Sequence, residues 1–306
     1  MSQVVAKDGN IKYALSPDYP FVARVAPGET FVVESAININ DGVITHVGQQ
    51  LTPADVTSPF VNGATGPIEV AGAEPGDMLR IDVVDMALEG LGFTSLWPGI
   101  GIFPDWVRRK EFGIQTRVVE VSDGVVHWSD AVKLPVQPMI GVAGVAPVLG
   151  AVPTVDNGPN GGNLDAQEIG PGNAVMFRVN QPGAHLFLGD CHALQGDGEC
   201  NGMGAIEIAA RLTVKVSVAK APARMTWPRI ETPTHIGTLG CARPLEDAMR
   251  IAFEELVFWL ADDYGILEPE AYMLLGQVAE ARCTQMVNPK YTYICKIAKS
   301  VLAQYR

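Results

Sequence analysis

Three stretches of this chain open on the same phrase: VAPGETFVVE at residues 25–34, AEPGDMLRIDVVD at 73–85 and IGPGNAVMFRV at 169–179. Each sets a Pro-Gly pair just ahead of alternating apolar residues. Proline presets the first corner of a tight turn and glycine accepts the positive φ of the next, so the pair reads as a turn. Alternation with a period of two then reads as a half-buried strand leaving that turn. We take the three as structurally repeated strand starts; the phrase is too short to establish a duplication.

Working outward, further strand patterns fall at 116–121, 184–190 and 211–218, with long irregular loops at 48–66 and 150–165. Residues 1–218 are therefore expected to form a β-rich core, a sandwich or barrel, that carries the functional site. The pattern changes in 219–306. RPLEDAMRIAFEELVFWLADDY at 243–264 places Leu245, Met249, Ala252, Phe253, Leu256, Val257 and Leu260 on one helical face. Pro244 and Gly265 bracket it as start and stop signals. A second helix is expected from LEPEAYMLLGQVAEA at 267–281, its Met and aromatic residues read as core. The expected class is α+β, mainly β: a β-sandwich or barrel-like core with a smaller α/β part that includes the C-terminal helices packed on it.

Composition narrows the function. Of 306 residues, 47% are hydrophobic and 18% charged, which fits a well-buried globular chain. A net charge of −12 argues against nucleic acid or an anionic membrane as partner. The most apolar run, MIGVAGVAPVLGAV from Met139, is interrupted by glycine and proline and is no membrane span. The opening MSQVVAKDGN lacks the basic and apolar regions of a signal peptide, and five cysteines without a CxxC pair suit free thiols in a cytoplasm. The apolar content and the long C-terminal helix point to a homo-oligomer.

Chemistry concentrates in GDCHALQGDGE at 189–199, three acids and a histidine bent by three glycines. On a strand Asp190 and His192 face the same way, and Asp197 and Glu199 repeat that spacing in the following turn. Carboxylates beside an imidazole suit a divalent metal, but the same residues also fit an ordinary turn with a satisfied histidine. GPNGGNLD at 158–165 adds Asn163 and Asp165, again two apart; GPIEVAGAEPGD at 66–77 adds Glu69, Glu74 and Asp77, the last a turn residue.

GPIEVAGAEPGD, PMIGVAGVAP, GGNLD, GDCHALQGDGE with AIE at 205–207, and the late EAYMLLGQVAEARCTQMVN occur in the order and wording of the acetamidase/formamidase family. The likeness runs from about Pro20 to Val287. It implies a β-rich fold with a smaller α/β part, hydrolysis of short aliphatic amides to carboxylate and ammonia, and a metal requirement. Asp165, Asp190, His192 and Glu199 fall in its most distinctive motifs. On that basis Asp190 and His192 are expected to hold a divalent metal with Asp165 as third ligand, zinc being the first choice and a second ion such as calcium allowed. Glu199 is assigned proton transfer from water to the departing ammonia, with a ligand role as its alternative, and Asn163 is expected to hold the amide or the oxyanion. His185 reads as structural. The competing readings are a cysteine nucleophile, Cys191 activated by His192 or Glu199, and a β-sandwich that binds a metal or small ligand without turnover. The chain departs from the family pattern at Cys191, where glycine is usual, and at Tyr13, where a histidine is often found, which bears on substrate preference if that segment lines the pocket.

Overall fold

The computed structural model describes residues 2–57, 59–109 and 113–305. The repeated phrase folds three times into the same turn. In each, the residue after Pro-Gly donates its N–H to the carbonyl before it: Glu29 to Ala26 (3.0 Å), Asp77 to Glu74 (3.0 Å) and Asn173 to Gly170 (3.1 Å). The turn glycines Gly28, Gly76 and Gly172 take φ of 90°, 90° and 83°, where a side chain is strained. The strands that follow, Thr30–Ser35, Asp77–Leu96 and Ala174–Arg178, come together in one sheet.

The spine of that sheet is a long antiparallel pair. Asp77–Leu96 runs against Gly202–Lys220 from Lys220 opposite Asp77 to Gly202 opposite Leu96. Thr30–Ser35 joins the outer edge of Gly202–Lys220, with Leu212 opposite Val33. Ala174–Arg178 joins the first half of Asp77–Leu96, and Gln115–Ser122 joins its second half. Inward residues of these strands, among them Phe31, Val33, Leu79, Ile81, Phe177, Leu212 and Val214, form the main core. Burial of each such side chain is worth roughly 1.5–3 kcal/mol, so the alternation read from the sequence is what holds the sheet. The whole is a curled half-barrel sheet with a few C-terminal helices, mainly β as expected.

Two short strands at the centre carry the site. Met139–Gly144 pairs antiparallel with Leu186–His192 and with Gly161–Asn163. Every residue of the first two is buried, so neither shows the buried-exposed alternation of a strand with one solvated face. The second begins two residues later than its sequence pattern, because Ala184 and His185 take φ of 61° and 53° in the turn that feeds it. The 150–165 stretch is less irregular than expected, since it contains Val152–Pro153, Asn157–Gly158 and Gly161–Asn163.

Helix α1, Leu245–Tyr264, starts after an extended Pro244 and ends where Gly265, at φ 68°, returns its N–H to Leu260. It lies on the strands His235–Ala242 and Tyr291–Ala298. Its buried face is Ala248, Ala252, Glu255, Leu256, Val257, Trp259 and Leu260, which leaves the expected Met249 exposed. The Glu255 carboxylate accepts from Arg229 Nε (3.0 Å) and Nη2 (2.9 Å), and Arg229 is itself 1% exposed. Helix α2, Glu268–Val278, is shorter than its pattern; Glu280–Gln285 is already a strand. Its Tyr272 and Met273 are 68% and 61% exposed, which corrects their reading as core. The helix rests on Ala271 and Leu275, four residues apart on one face, and the two residues after Ala271 turn away from it.

Candidate active site

The paired strands converge on Gly141. Its carbonyl accepts from the N–H of Leu164 (2.9 Å) and Asp165 (3.3 Å). A Cβ at Gly141 would sit 2.6 Å from Asp165 Oδ1 and 2.9 Å from Asp190 Oδ2. Only a residue without a side chain lets two carboxylates meet over that backbone. Asp165, Asp190 and His192 each contribute a ligand atom to a group whose members all lie within 4.8 Å of one another. Asp165, Asp190 and Glu199 take left-handed φ of 44°, 53° and 47°. Non-glycine residues held there are strained, and three in one cluster mark a site that the surrounding structure over-determines.

Further contacts fix the cluster. Glu207, on Gly202–Lys220, stands opposite His192, with its Oε2 3.3 Å from His192 Nε2. Asp190 Oδ2 lies 3.8 Å from the same nitrogen and accepts from Asn62 Nδ2 at 2.8 Å. Asn288 Nδ2 donates to Asp165 Oδ2 at 2.8 Å. Glu199 sits in the Asp197–Glu199 turn, its carboxyl against that of Asp165. The turn is tied down from the C-terminal side, where Met286 N–H donates to Gly198 O at 3.0 Å.

The electrostatics of the cluster would suit a cation. Asp165, Asp190, Glu199 and Glu207 are all at most 5% exposed, and among the described residues no Lys or Arg bonds to them; the basic side chain beside them is His192. Burial lifts the Asp190 carboxyl well above the usual range, and the Glu207 carboxylate lifts it further. Burial does the same to Glu199, helped by Asp165, and raises Asp165 as well. For His192 burial pulls the pKa down, but Glu207, Asp190 and Asp165 outweigh it and hold the ring well above its ordinary value. Asp165 Oδ1, Asp190 Oδ1, His192 Nε2, Glu199 Oε2 and Glu207 Oε2 are buried atoms without a hydrogen-bond partner among the described residues. Oxygen and imidazole donors of this kind, aimed together and unpaired, fit a divalent metal ion.

The sequence model of the acetamidase/formamidase family matches residues 2–152 and 149–297. The chain belongs to the acetamidase/formamidase family. The crystal structure of an acetamidase from Bacillus halodurans is similar at a TM-score of 0.91 and 32% identity, covering 99% of each chain. One from Yersinia enterocolitica gives 0.92 at 33% identity, over 99% of this chain and 94% of that one. A formamidase from Methylophilus methylotrophus is 28% identical across 70% of this chain. This chain spans 64–65% of the length of the curated relatives it matches.

Within this member of the family the structure brings Asp165, Asp190, His192 and Glu199 together and places Asn163 on the strand beside Gly141. Asp197 does not join them; it lies at the surface, where it accepts from Arg282 Nε at 2.7 Å. Glu69 pairs with Arg24 at 3.5 Å, Glu74 is exposed, and Asp77 accepts the Glu74 N–H as a turn residue. His185 is outside the cluster, its ring 4.2 Å from that of Phe21. Cys191 turns into the main core, and burial pushes its thiol up to about 12, a poor state for a nucleophile. Tyr13 bonds to Asn40 and its ring lies beside Gly63, next to the Asn62 that reaches Asp190. Glu207, Gln195, Asn288 and Gly141 were not singled out in the sequence. Glu207 had a signal of its own, as a lone acid in the apolar run MGAIEIAA.

Proposed function

We propose that this chain is a metal-dependent amidohydrolase that cleaves a short aliphatic amide, of the formamide or acetamide type, to a carboxylate and ammonia. The observation that carries this reading is the buried group of unpaired carboxylate and imidazole atoms in a chain of this family. Asp165, Asp190 and His192 are assigned to hold the ion, with zinc as its identity, and Glu207 stands close enough to share it. A divalent ion there supplies a Lewis acid that polarises a carbonyl and lowers the pKa of water.

Glu199 is assigned the proton. Its carboxyl is held well above the usual range by burial and by Asp165, which favours its protonated form and suits a group that hands a proton to a leaving amine. Asn163 is assigned to the substrate amide. The site residues are almost fully enclosed, which favours small acyl groups. Discrimination per methylene in such a pocket is about 1–3 kcal/mol, so rates should fall in steps along a series. The proposal includes a cytoplasmic homo-oligomer: all five cysteines are free thiols, and Leu267, Tyr272 and Met273 offer an exposed apolar face.

The test is metal analysis of the purified protein alongside ammonia release from formamide, acetamide, propionamide and benzamide. One divalent ion per chain, chelator-sensitive activity and a falling rate series are expected. Full activity in a chain stripped of metal would overturn the metal assignment, and equal rates on formamide and benzamide the tight pocket. Light scattering that shows a monomer at every concentration would end the oligomer.

A further inference from the structure

We propose that Asn163 accepts an N–H of the substrate amide, and that Asn288 is the positioning residue that makes Asn163 an acceptor. The site then selects substrates that carry an N–H over esters of the same acyl group. This rests on the amidase reading above and names what that site recognises.

The argument starts from Asn288, whose amide can be oriented without ambiguity. Its Nδ2 donates to Asp165 Oδ2 at 2.8 Å and to the backbone carbonyl of Asn163 at 3.2 Å. Both partners are acceptors, so nitrogen must occupy that side and Oδ1 the other. That Oδ1 faces Asn163 Nδ2 at 3.3 Å. Turning the Asn163 amide over would set oxygen against oxygen. Asn163 is therefore held with its nitrogen toward Asn288 and its Oδ1 directed away.

Asn288 cannot easily give way. Gln285 Oε1 accepts the backbone N–H of Val287 and of Asn288, each at 3.0 Å. Gln285 is fixed in turn by Nε2 donating to Lys290 O and Thr292 Oγ1, each at 2.8 Å.

The outcome is a buried amide oxygen, Asn163 Oδ1, with no partner among the described residues. Asn163 is 2% exposed and stands opposite Val142, one residue from Gly141, over which the Asp165 and Asp190 carboxylates meet. A buried acceptor left unpaired is expensive, so the site is built for a donor. An oxyanion is itself an acceptor and cannot fill that place. Of the two roles open to Asn163, holding the amide or the oxyanion, only the first suits its free atom. A primary amide brings two N–H groups and an ester brings none, and a site built to bond an N–H rejects analogues that lack it.

The experiment compares kcat/KM on acetamide and on methyl acetate for the wild-type chain, Asn163→Leu, Asn163→Asp and Asn288→Leu, with circular dichroism and metal content as controls. Asn163→Leu should lose on the order of 10- to 100-fold on acetamide and less than about 3-fold on the ester. Asn163→Asp keeps an acceptor and should keep the amide preference better than Asn163→Leu does. Asn288→Leu frees the Asn163 amide to turn and should narrow the amide-to-ester ratio. A folded, metal-loaded Asn163→Leu that loses both substrates equally overturns the inference while leaving the amidase reading in place. A metal-loaded wild-type chain inert on every small amide overturns the reading itself, and the inference with it.

Discussion

Gln195 holds His192 by one ring nitrogen: its Oε1 lies 2.9 Å from His192 Nδ1, while its Nε2 donates to the carbonyls of Asp165 (2.9 Å) and Thr284 (3.0 Å). Two acceptors fix the amide nitrogen, so oxygen must face the ring and Nδ1 must be the donor. The Nε2 side is thereby turned to Asp190 and Glu207. Partners of this kind orient a ligating histidine, and their loss commonly lowers metal affinity by about 10- to 100-fold. Gln195→Leu should show a loss of that order in a chelator competition for zinc, with the circular dichroism spectrum retained. Unchanged affinity would show that His192 is oriented by its strand alone.

Gly141 makes a steric prediction. In Gly141→Ala the new methyl would lie 2.6 Å from Asp165 Oδ1 and 2.7 Å from the Asp190 carbonyl, so backbone or carboxylate must move. Overpacking of this sort destabilises by about 1–3 kcal/mol. The larger effect should be on metal content, because the displaced atoms are the assigned ligands. Elemental analysis of the folded variant checks it; a full metal complement would place the ion elsewhere.

The Arg229–Glu255 pair separates stability from the site. Both residues are at most 2% exposed, and Glu255 Oε2 also accepts the Thr226 N–H at 3.2 Å and hydroxyl at 3.0 Å. Glu255→Ala leaves a buried guanidinium unpaired, a loss of about 3–5 kcal/mol. Urea denaturation should show that loss with metal content unchanged. A loss under about 1 kcal/mol would mean that water reaches Arg229.

What could be read in advance follows from how local each signal was. The Pro-Gly turns and their strands are set by neighbouring residues, so VAPGETFVVE and its two companions told where three strands of the sheet begin. Helix α1 was legible from its period and from Gly265. The exposed Tyr272 and Met273 were not, because α2 buries only the narrow face of Ala271 and Leu275 and hydrophobicity alone does not say which side faces the sheet. In the site, Asp190 and His192 share a strand and were visible together. Glu207 reaches His192 through strand register, Gln195 bridges three segments, and Asn288 comes from a turn 123 residues beyond Asp165. Those contacts are made by the fold, and no short stretch contains them.

The last prediction concerns pH in the metal-free chain. Asp165, Asp190 and Glu199 are held above the ordinary carboxylate range, by burial first and then by neighbouring carboxylates. His192 is held above its ordinary value because those carboxylates outweigh its burial. For all four, the folded chain keeps a proton at a pH where the unfolded chain has released it. Stability falls with rising pH wherever the folded state binds more protons. The carboxyl contribution begins to decline once pH passes the unfolded value of about 4, and the histidine contribution is complete below about 6.5 and is lost as pH rises through the folded value. A divalent ion binds the deprotonated ligands and works in the opposite direction, so its stabilisation grows with pH. Thermal denaturation of chelator-treated and zinc-loaded protein between about pH 5.5 and 8.5 separates the two. The metal-free midpoint should fall across that range and the gap to the loaded protein should widen. A metal-free midpoint that climbs with pH would show that the three carboxyls and His192 do not hold their protons, and the charge argument for a metal at this site would fail.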